Sequence, residues 1–433
     1  MKYFNHRIET KPLAELRAEQ SSRLTDLVRR VSEQVPFYRT KFLELGLDPM
    51  GDINSIEQLP QLPITTKEDL RAHYPFGLFG ASRDKVARIH CSSGTTGKPT
   101  VVGYSKKDLV LMAEVNARSL VAAGAQPGML LHNAYGYGLF TGGLGLHSGA
   151  ERLGMNVVPI SGGMTDRQVM LIQDFQPEVI SCTPSYAQRL ADEMEKRQIN
   201  PDNLSLRFAV LGAEPWTETI RSHVEKGLGV SATNIYGLSE IIGPGVSQED
   251  WEETGTGSYV WEDHFYPEVI DPDTSEPLPL GQEGILLLTT LTKEIMPLIR
   301  YRTNDICSLF YDHSVKRTHI KMSAIKGRAD TMLIIRGVNV FPTQVEALIG
   351  SMQELGANYQ LVLSKKDRLD QVTVYVESIN KALPGAAVKA SVEKQLTTKI
   401  RDNIGLSMQV VIQPYGSIPR SEGGKLNRVI DLR

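Results

Sequence analysis

Ten consecutive residues combine the side chain types that bind phosphate. Residues 91–100 read CSSGTTGKPT and contain hydroxyl side chains, glycines and a lysine: Ser92, Ser93, Gly94, Thr95, Thr96, Gly97 and Lys98. Glycines let backbone N–H groups approach an anion, hydroxyls donate hydrogen bonds to its oxygens, and a lysine adds positive charge. The segment therefore indicates a phosphate-binding loop, although the same residue types also build ordinary polar turns.

This segment differs from the common P-loop, G-x-x-x-x-G-K-S/T. Ser92 stands where the first glycine should be, and Pro99 follows Lys98 where the magnesium-binding hydroxyl belongs. A different kind of phosphate chemistry is indicated.

Two further groups of polar and small residues follow predicted strands, where ligands of open α/β sheets usually bind. Residues 236–240 read YGLSE, and Glu240 could hold a magnesium ion that bridges phosphates or could be a solvated carboxylate. Residues 212–216 read GAEPW, and their small side chains could let a flat ring lie against the backbone. A tight turn from strand to helix would use the same residues.

Residues 135–149 combine aromatic side chains with glycines, in the order YGYGLFTGGLGLHSG. This composition suits neither a regular helix nor a good strand, so we expect irregular structure. Aromatic walls separated by glycines would make a slot for a planar apolar group. A glycine-rich loop packed by its own aromatic rings is an equally good interpretation.

Three charged residues nearer the C-terminus complete the set of candidates. Asp305 and Arg328 could hold ribose hydroxyls, or they could pair with each other. Lys425 lies on a glycine-rich turn, where a lysine is most often simply solvated.

Composition limits the class of protein. The chain has 433 residues, 41% hydrophobic and 22% charged, so we expect a globular protein of at least two domains. A net charge of −3 gives no reason to expect nucleic acid or an anionic membrane as a partner, and small molecules fit better. Three widely spaced cysteines, no apolar run like a signal peptide and no membrane-length apolar segment predict a cytoplasmic protein without disulfides or zinc.

Strands and helices alternate along most of the chain. A helical N-terminal region covers 12–46, and 256–325 form a smaller β subdomain with strands at 285–290 and 298–301. Between them, the predicted strands are 100–104, 129–131, 156–160, 179–182, 206–211 and 234–236, with helices between most of them, including one from 105 to about 124 and one at 165–175. This alternation predicts a large α/β domain, residues 1–327, with a mostly parallel sheet.

The last hundred residues form a separate unit. The predicted order is strand 332–335, helix 342–349, strands 360–363 and 371–376, helix 387–403 and strand 409–412. This is a small α+β domain, residues 328–433.

In this order, the motifs resemble those of the adenylate-forming enzymes, and specifically the phenylacetate-CoA ligase family. The resemblance runs from about residue 8 to the C-terminus. It includes SSGTTGKPT, YGYGLFTGGLG, TPSY, GAEPW, YGLSE, WEDHFYPE, GRAD, IIRGVNVFP and the terminal GGK. It implies that a carboxylate and ATP form an acyl-adenylate and pyrophosphate, after which the thiol of coenzyme A gives acyl-CoA and AMP.

The resemblance also implies a role for each residue. Phosphates would be held by residues 92–98, with Lys98 in a supporting role, and magnesium by Glu240. The remaining ATP contacts would be Ala213, Glu214, Pro215, Tyr236, Ser239, Asp305 and Arg328. The substrate pocket would be formed by Tyr135, Tyr137, Phe140, Gly212 and Pro244. Lys425 would catalyse the first step. The mobile small domain would then swing about the hinge Asp330 and bring Ile335, Arg336 and Gly337 to the coenzyme A tunnel.

Two features depart from the resemblance. The terminal turn has two glycines, Gly423 and Gly424, before Lys425, where relatives more often have one. Some relatives bind a structural zinc through cysteines just before the hinge. Here that stretch begins at Asp312 and the upstream positions are Asp250 and Ser258, so we predict no zinc.

Three functions remain open from the sequence. The first is an aryl-acid CoA ligase, with phenylacetate as the substrate most favoured and a homodimer as the assembly that the family suggests. The second is an enzyme that adenylates an aromatic acid for a carrier protein or another acceptor. The third is a nucleotide-binding regulator without turnover, which the presence of Glu240, Asp330 and Lys425 together argues against.

Overall fold

The computed structural model describes residues 1–91, 99–312, 316–329, 333–335, 338–366, 369–380, 383–420 and 428–432. Its helices are α1 (His6–Glu9), α2 (Leu13–Gln34), α3 (Pro36–Glu44), α4 (Lys67–Ala72), α5 (Lys106–Ala122), α6 (Gly142–Leu153), α7 (Thr165–Phe175), α8 (Pro184–Lys196), α9 (Glu218–Leu228), α10 (Pro342–Gly350) and α11 (Ala386–Ile404). Short 3₁₀ helices cover Ile56–Gln61, Arg83–Lys85 and Pro201–Asn203. None of the helices in these ranges is long and apolar enough to span a membrane.

The strands of the large domain number fourteen in the described ranges. They are β1 (Arg88–Cys91), β2 (Val101–Tyr104), β3 (Leu130–Asn133), β4 (Asn156–Val158), β5 (Val179–Cys182), β6 (Phe208–Gly212), β7 (Ser231–Leu238), β8 (Gly243–Glu249), β9 (Ser258–Val260), β10 (Phe265–Ile270), β11 (Glu283–Thr290), β12 (Tyr301–Phe310), β13 (Lys321–Met322) and β14 (Gly327–Arg328). The small domain has β15 (Leu333–Ile335), β16 (Val338–Val340), β17 (Leu355–Lys366), β18 (Leu369–Ser378), β19 (Gln409–Gln413) and β20 (Val429–Asp431).

A long mixed sheet forms the centre of the large domain. Strands β4, β3, β5, β6 and β7 lie side by side and are parallel, as the alternating pattern predicts. The same sheet continues through β8, β9, β13, β12, β11 and β10, which pair in antiparallel fashion. The predicted β subdomain is therefore hydrogen-bonded to the parallel part. The predicted α/β fold class is confirmed.

The parallel strands are buried on both faces, which explains their almost continuous apolar sequence. Along β6, Phe208 and Val210 pack with α5 and α6, whereas Ala209 and Leu211 pack with α8 and α9. Because successive side chains of a strand point to opposite faces of the sheet, alternate residues of β6 pack against different helical layers.

Local sequence rules define several helix ends. Ser105 accepts a hydrogen bond from the N–H of Asp108, and the Asp108 carboxylate accepts one from the N–H of Ser105, so the predicted capping box begins α5. Thr183 caps α8, with Pro184 at its first position. Helix α7 has the predicted bounds, 165–175.

The prediction of irregular structure throughout residues 135–149 was wrong. Helix α6 begins at Gly142 and runs through the glycine-rich half of this segment. A Cβ added at Gly149 would lie 2.4 Å from the Asn116 Cβ on α5, and one at Gly145 would lie 2.7 Å from Pro244 Cγ. Close packing of α6 against α5 and the start of β8 therefore accounts for Gly145 and Gly149, and the buried contact outweighs their low helix propensity.

Two strand predictions also need correction. Residues 298–300 are not a strand, and β12 begins only at Tyr301. The predicted strand 332–335 does not join the small-domain sheet, because within the described ranges β15 pairs with β16 alone. That sheet has the order β19, β18, β17 and β20, and its fourth strand, β20, was not predicted because its three residues are too short to show periodicity.

The small domain has its own apolar core. Residues of α10, α11 and the four-stranded sheet contribute to it, and the first of them in the chain is Ile335. The boundary between residues 327 and 328 stays a prediction. Strand β14, which lies across that boundary, pairs with β12 of the large domain.

Candidate functional site

A cavity of about 660 Å³ lies where the carboxyl ends of the parallel strands meet the antiparallel strands and the small domain. Ligands of open α/β sheets bind at this edge. Eleven of the predicted site residues line it: Tyr135, Phe140, Ala213, Glu214, Pro215, Tyr236, Ser239, Glu240, Pro244, Asp305 and Arg328.

The predicted ribose-binding residues form a hydrogen-bonded group on one wall. The Tyr236 hydroxyl donates to Asp305 Oδ2 at 2.6 Å, and Arg328 Nη1 lies 3.4 Å from Asp305 Oδ1. Asp305 and Arg328 face each other across the β12–β14 pair. Burial, and then the neighbouring Asp305 charge, raises the pKa of Tyr236 well above its ordinary value, so Tyr236 stays a hydrogen-bond donor. The two sequence interpretations of Asp305 and Arg328, as ribose ligands or as a pair, are compatible in this geometry.

The GAEPW segment adopts strained backbone at the cavity wall. Ala213 has a φ of +74°, in the left-handed region that costs a non-glycine residue roughly 1 kcal/mol. Such strain is typical of functional sites. The Glu214 carboxylate accepts a hydrogen bond from the Ser185 N–H at 3.2 Å, at the N-terminus of α8, where the helix dipole favours an anion. The hydrogen bond ties the GAEPW segment to the start of α8 at the cavity wall.

Glu240 lies in the turn after β7 and is 6% exposed. Its backbone carbonyl accepts a hydrogen bond from Lys293 Nζ at 2.9 Å. Lys293 is fully buried, with its ammonium 4.8 Å from the centre of the Tyr104 ring, and burial lowers its pKa to about 8, against the opposing effects of Asp108 and Glu240. A buried cation thus fixes the backbone of Glu240. The sequence interpretation missed Lys293, because a single lysine in a β-rich region carries no signal of its burial.

Two of the three aromatic residues predicted for the substrate pocket line the cavity. Tyr135 and Phe140 line the cavity, together with Gly142 and Pro244. Burial raises the pKa of Tyr135 well above its ordinary value, against a smaller opposing effect of the Gly212 backbone. These rings and Pro244 form an apolar end that suits a planar group.

Two residues predicted for the substrate pocket do not line this cavity. The Tyr137 hydroxyl accepts a hydrogen bond from Asn133 Nδ2 at 2.7 Å and lies 3.1 Å from His147 Nδ1. Gly212 lies behind the wall, where an added Cβ would be 2.1 Å from the carbonyl oxygen of Ile235. Gly212 thus permits the close approach of β6 and β7.

The remaining predicted residues lie outside the described ranges, except for Ile335. They are residues 92–98, Asp330, Arg336, Gly337 and Lys425. Cys91, which precedes the predicted phosphate loop, donates its N–H to the Leu139 carbonyl at 3.0 Å, next to the cavity residue Phe140. Ile335 is fully buried in the small-domain core and does not line the cavity.

Small-domain residues complete the cavity and were missed from the sequence. Glu346 on α10 accepts hydrogen bonds from Thr217 Oγ1 at 3.1 Å and from the Tyr359 hydroxyl at 3.0 Å. Arg428 lies over the Tyr359 ring, 4.7 Å from its centre, and 3.8 Å from Glu346. Burial raises the pKa of Glu346, and Arg428 opposes that shift. In the sequence alone, nothing distinguishes Glu346 and Arg428 from ordinary surface residues, because their position at the cavity depends on the contact between the two domains.

The stretch related to the zinc site of some relatives contains ion pairs instead. Buried Arg317 pairs with Glu9 at 2.8 Å and also with Asp250, and Ser258 hydrogen-bonds with Ser247. Within the described ranges, no group of three or more His, Cys, Asp and Glu side chains is placed to hold a metal. The prediction of no zinc stays a prediction.

Comparison with known proteins agrees with this architecture. Residues 50–292 match the model of the AMP-binding enzyme family, and residues 337–433 match the AMP-binding enzyme C-terminal domain. The chain is 59% identical to a phenylacetate-coenzyme A ligase of Thermus thermophilus, over 98% of both chains.

Solved structures of 2-hydroxyisobutyryl-CoA ligase also resemble the chain. Its postadenylation state, in complex with R3-HIB-AMP, has a TM-score of 0.92 at 28% identity and covers 100% of this chain and 93% of that one. Its thioesterification state, with 2-HIB-AMP and CoA, has a TM-score of 0.73 at 29% identity, covering 100% and 92%. Family models match segments of both domains, and the Thermus thermophilus ligase aligns over nearly the whole chain. The chain therefore belongs to the phenylacetate-coenzyme A ligase family of AMP-binding enzymes.

Proposed function

We propose that the substrate of this AMP-forming acid–thiol ligase is an aryl acid, phenylacetate above all, which the enzyme converts to its CoA thioester through an acyl-adenylate. The observation that supports the substrate class is the composition of the cavity of about 660 Å³. Its polar wall carries Asp305 and Arg328, and its apolar end carries Tyr135, Phe140 and Pro244. Ligand cavities commonly have this size and this mixture of apolar lining and a few placed polar groups.

The first step joins the acid to AMP. A carboxylate oxygen attacks the α-phosphorus of ATP, the new O–P bond forms, and the bond to pyrophosphate breaks. Both reactants are anions, so positioning and positive charge provide most of the acceleration. In our proposal, Asp305 accepts hydrogen bonds from the ribose hydroxyls, residues 213–215 contact the adenine, and Ser239 faces the nucleotide.

Residues beyond the described ranges complete the first step in this proposal. Residues 92–97 and Lys98 hold the β- and γ-phosphates, which leave together as pyrophosphate. Lys425 supplies the charge at the α-phosphate. These roles rest on the family resemblance of their motifs, SSGTTGK and GGK.

Magnesium fits the site through Glu240. Mg²⁺ prefers oxygen ligands and is often held by one or two carboxylates plus substrate phosphates. Glu240 offers one carboxylate at the cavity wall, in a turn whose backbone is tied to Lys293. When bound there, the ion would offset the negative charge of the phosphates.

The second step transfers the acyl group to coenzyme A. The thiol sulfur attacks the acyl carbonyl carbon and the thioester bond forms. The bond between the acyl carbon and the phosphate oxygen breaks, AMP leaves with its electrons, and the thiol proton passes to solvent. We propose that the small domain turns about Asp330 for this step and that Ile335, Arg336 and Gly337 then approach the pantetheine. Burial of Ile335 in the small-domain core agrees with a segment that moves with that domain.

We also propose that the enzyme acts in the cytoplasm as a homodimer. The homodimer rests on the family resemblance alone. Size-exclusion chromatography with light scattering measures it directly, and a monomer at micromolar concentration would contradict it.

The substrate proposal is tested with a panel of acids. Pyrophosphate release is measured with phenylacetate, indoleacetate, benzoate and fatty acids, each with and without CoA. We expect phenylacetate to give the highest turnover and CoA to be consumed in equal amount. Absence of turnover with every aryl acid would reject the proposal. Pyrophosphate release without CoA consumption would favour adenylation for a carrier protein.

Tyr236→Phe should weaken the use of ATP. The substitution removes the donor 2.6 Å from Asp305 Oδ2 and leaves the carboxylate less well oriented. A hydrogen bond to a charged group contributes about 1.5 kcal/mol or more, so we expect the KM for ATP to rise about tenfold with little change in the KM for phenylacetate. Tyr38→Phe is the matched control, since it removes another buried hydroxyl that does not line the cavity. An equal rise in both KM values would contradict the assignment.

A further inference from the structure

The small domain docks on two helices of the large domain, α8 and α9. We call this surface the α8–α9 face and define it by Asp192, Thr217 and Thr219. Arg420 of the small domain reaches it, with Nε 3.3 Å from Asp192 Oδ2. His223 Nε2 on α9 also lies 2.9 Å from Asp192 Oδ1. The Asp192 carboxylate on α8 therefore contacts both α9 and the small domain.

Arg420 is held firmly on its own side. Its Nη1 and Nη2 lie 2.8 and 2.7 Å from the two carboxylate oxygens of Glu377, which is fully buried at the end of β18. The Ile418 N–H donates to the same carboxylate at 2.7 Å. The bidentate pair with the buried Glu377 carboxylate fixes the orientation of the Arg420 guanidinium. The contact between Arg420 Nε and Asp192 therefore costs little additional side-chain conformational entropy.

A second contact on this face is steric. Gly350, the last residue of α10, lies against Thr219 in the first turn of α9. A Cβ added at Gly350 would be 1.9 Å from Thr219 Oγ1 and 2.9 Å from Thr219 Cβ. Rotation of the threonine would relieve the first clash but not the second. Beside it, Thr217 donates to Glu346 at 3.1 Å.

The two states of 2-hydroxyisobutyryl-CoA ligase differ in how well they match this chain. The TM-score is 0.92 for the postadenylation state and 0.73 for the thioesterification state, although the sequence identity and the coverage are nearly equal for the two. The domain arrangement in which α10 and Arg420 meet the α8–α9 face is therefore the one closer to the postadenylation state.

We propose that the α8–α9 face is a docking site specific to adenylate formation, and that Asp192, Arg420, Thr219 and Gly350 are positioning residues for that first half-reaction. None of the four touches the reacting atoms. They set the angle and distance at which the small domain meets the cavity, where Glu346 and Arg428 complete the wall. The face must separate before the thioester step.

The strength of the contacts suits an interface that opens in every turnover. Asp192 and Arg420 each have side chains 15% exposed, and an ion pair that water can reach contributes only about 0.2–1 kcal/mol. Most of the specificity then comes from shape, because only glycine at 350 allows this approach. A tighter pair would hold the first arrangement and slow the second step.

The decisive variant is Gly350→Ala. We expect the rate of ATP–pyrophosphate exchange with phenylacetate to fall about 10²-fold, because small displacements of a catalytic arrangement are costly. Thioester formation from added phenylacetyl-adenylate and CoA should be unchanged. Alanine favours helix, so α10 should remain folded. In the same assay, Thr219→Gly combined with Gly350→Ala should restore most of the exchange rate.

An equal fall in both half-reactions would show a merely structural role and overturn the proposal. Failure of Thr219→Gly to rescue Gly350→Ala would also overturn it. The unmodified protein tests the substrate assignment separately. If it showed no ATP–pyrophosphate exchange with phenylacetate, the proposed function would be wrong, independently of the docking face.

A second variant tests the ion pair without changing any shape. Asp192→Asn should lower ATP–pyrophosphate exchange about two- to fivefold and leave thioester formation from the adenylate unchanged. Asp166→Asn is the matched control, because Asp166 also pairs with an arginine, Arg197 of the same domain, while its side chain is 88% exposed. Equal effects of the two substitutions, or a loss confined to the thioester step, would contradict the proposal.

Discussion

Replacing Lys425 by alanine should lower acyl-adenylate formation by about 10²–10³-fold and leave the thioester step largely intact. The magnitude is that of removing one preorganised group that stabilises charge in a transition state. A carboxylate that attacks the α-phosphorus brings two anions together, and the family resemblance assigns Lys425 to that point. The second step makes no such demand, because it is an attack on a carbonyl carbon that already carries a good leaving group, AMP.

The two half-reactions separate this role from a structural one. ATP–pyrophosphate exchange measures the first step, and CoA consumption with added phenylacetyl-adenylate measures the second. Lys98→Ala is the comparison variant, and its loss in the first step should be the smaller, since Lys98 is proposed to hold only the leaving group. Equal loss of both steps in Lys425→Ala would show that the assignment is wrong.

Gly142→Val should exclude aryl acids from the cavity. A Cβ at Gly142 would lie 3.4 Å from ring atoms of both Phe140 and Tyr135, so the two valine methyl groups would occupy the space between the rings. Overpacking of this kind costs about 1–3 kcal/mol, which predicts a rise of roughly 10–100-fold in the KM for phenylacetate. The KM for ATP should change less, because the three atoms nearest to the added Cβ all belong to Phe140 and Tyr135.

A nearby glycine supplies the control for this substitution. Gly138 lies in the same aromatic segment, but a Cβ added there meets no atom within 4 Å, so Gly138→Ala should leave both KM values unchanged. Acetate and propionate, tested as substrates of Gly142→Val, should lose less activity than phenylacetate. If phenylacetate kept its KM in Gly142→Val, the aryl group would have to bind elsewhere.

Local sequence predicted much of the fold. The apolar runs of β5 and β6 and the helix start at Thr183–Pro184 were read correctly because each depends on neighbouring residues alone. The same holds for the capping box of α5. Helix α6 is not predicted, because two of its glycines, Gly145 and Gly149, are explained by Pro244 and Asn116, which lie outside the segment.

The candidate site was predictable to the extent that it follows strand ends. The carboxyl ends of parallel strands lie at one edge of the sheet. Once β6 and β7 are predicted as neighbouring parallel strands, residues 213–215 and Tyr236–Glu240 are expected to lie close together at that edge. Side-chain direction was not predictable in the same way. Tyr135 and Tyr137 are two residues apart in an irregular segment, yet only Tyr135 lines the cavity, while Tyr137 turns to Asn133 and His147.

By itself, the sequence determined the α/β class, the two-domain order and the family, because these depend on periodicity and on motifs that lie within short stretches of chain. Only the tertiary structure decided which residues share the cavity across the domain interface. Glu346, Arg428 and Lys293 belong to no recognisable motif in the sequence, and their roles arise from burial and from contacts with residues far apart in the chain. The close fit of Gly350 to Thr219 is of the same kind, because it exists only where two separately folded domains meet.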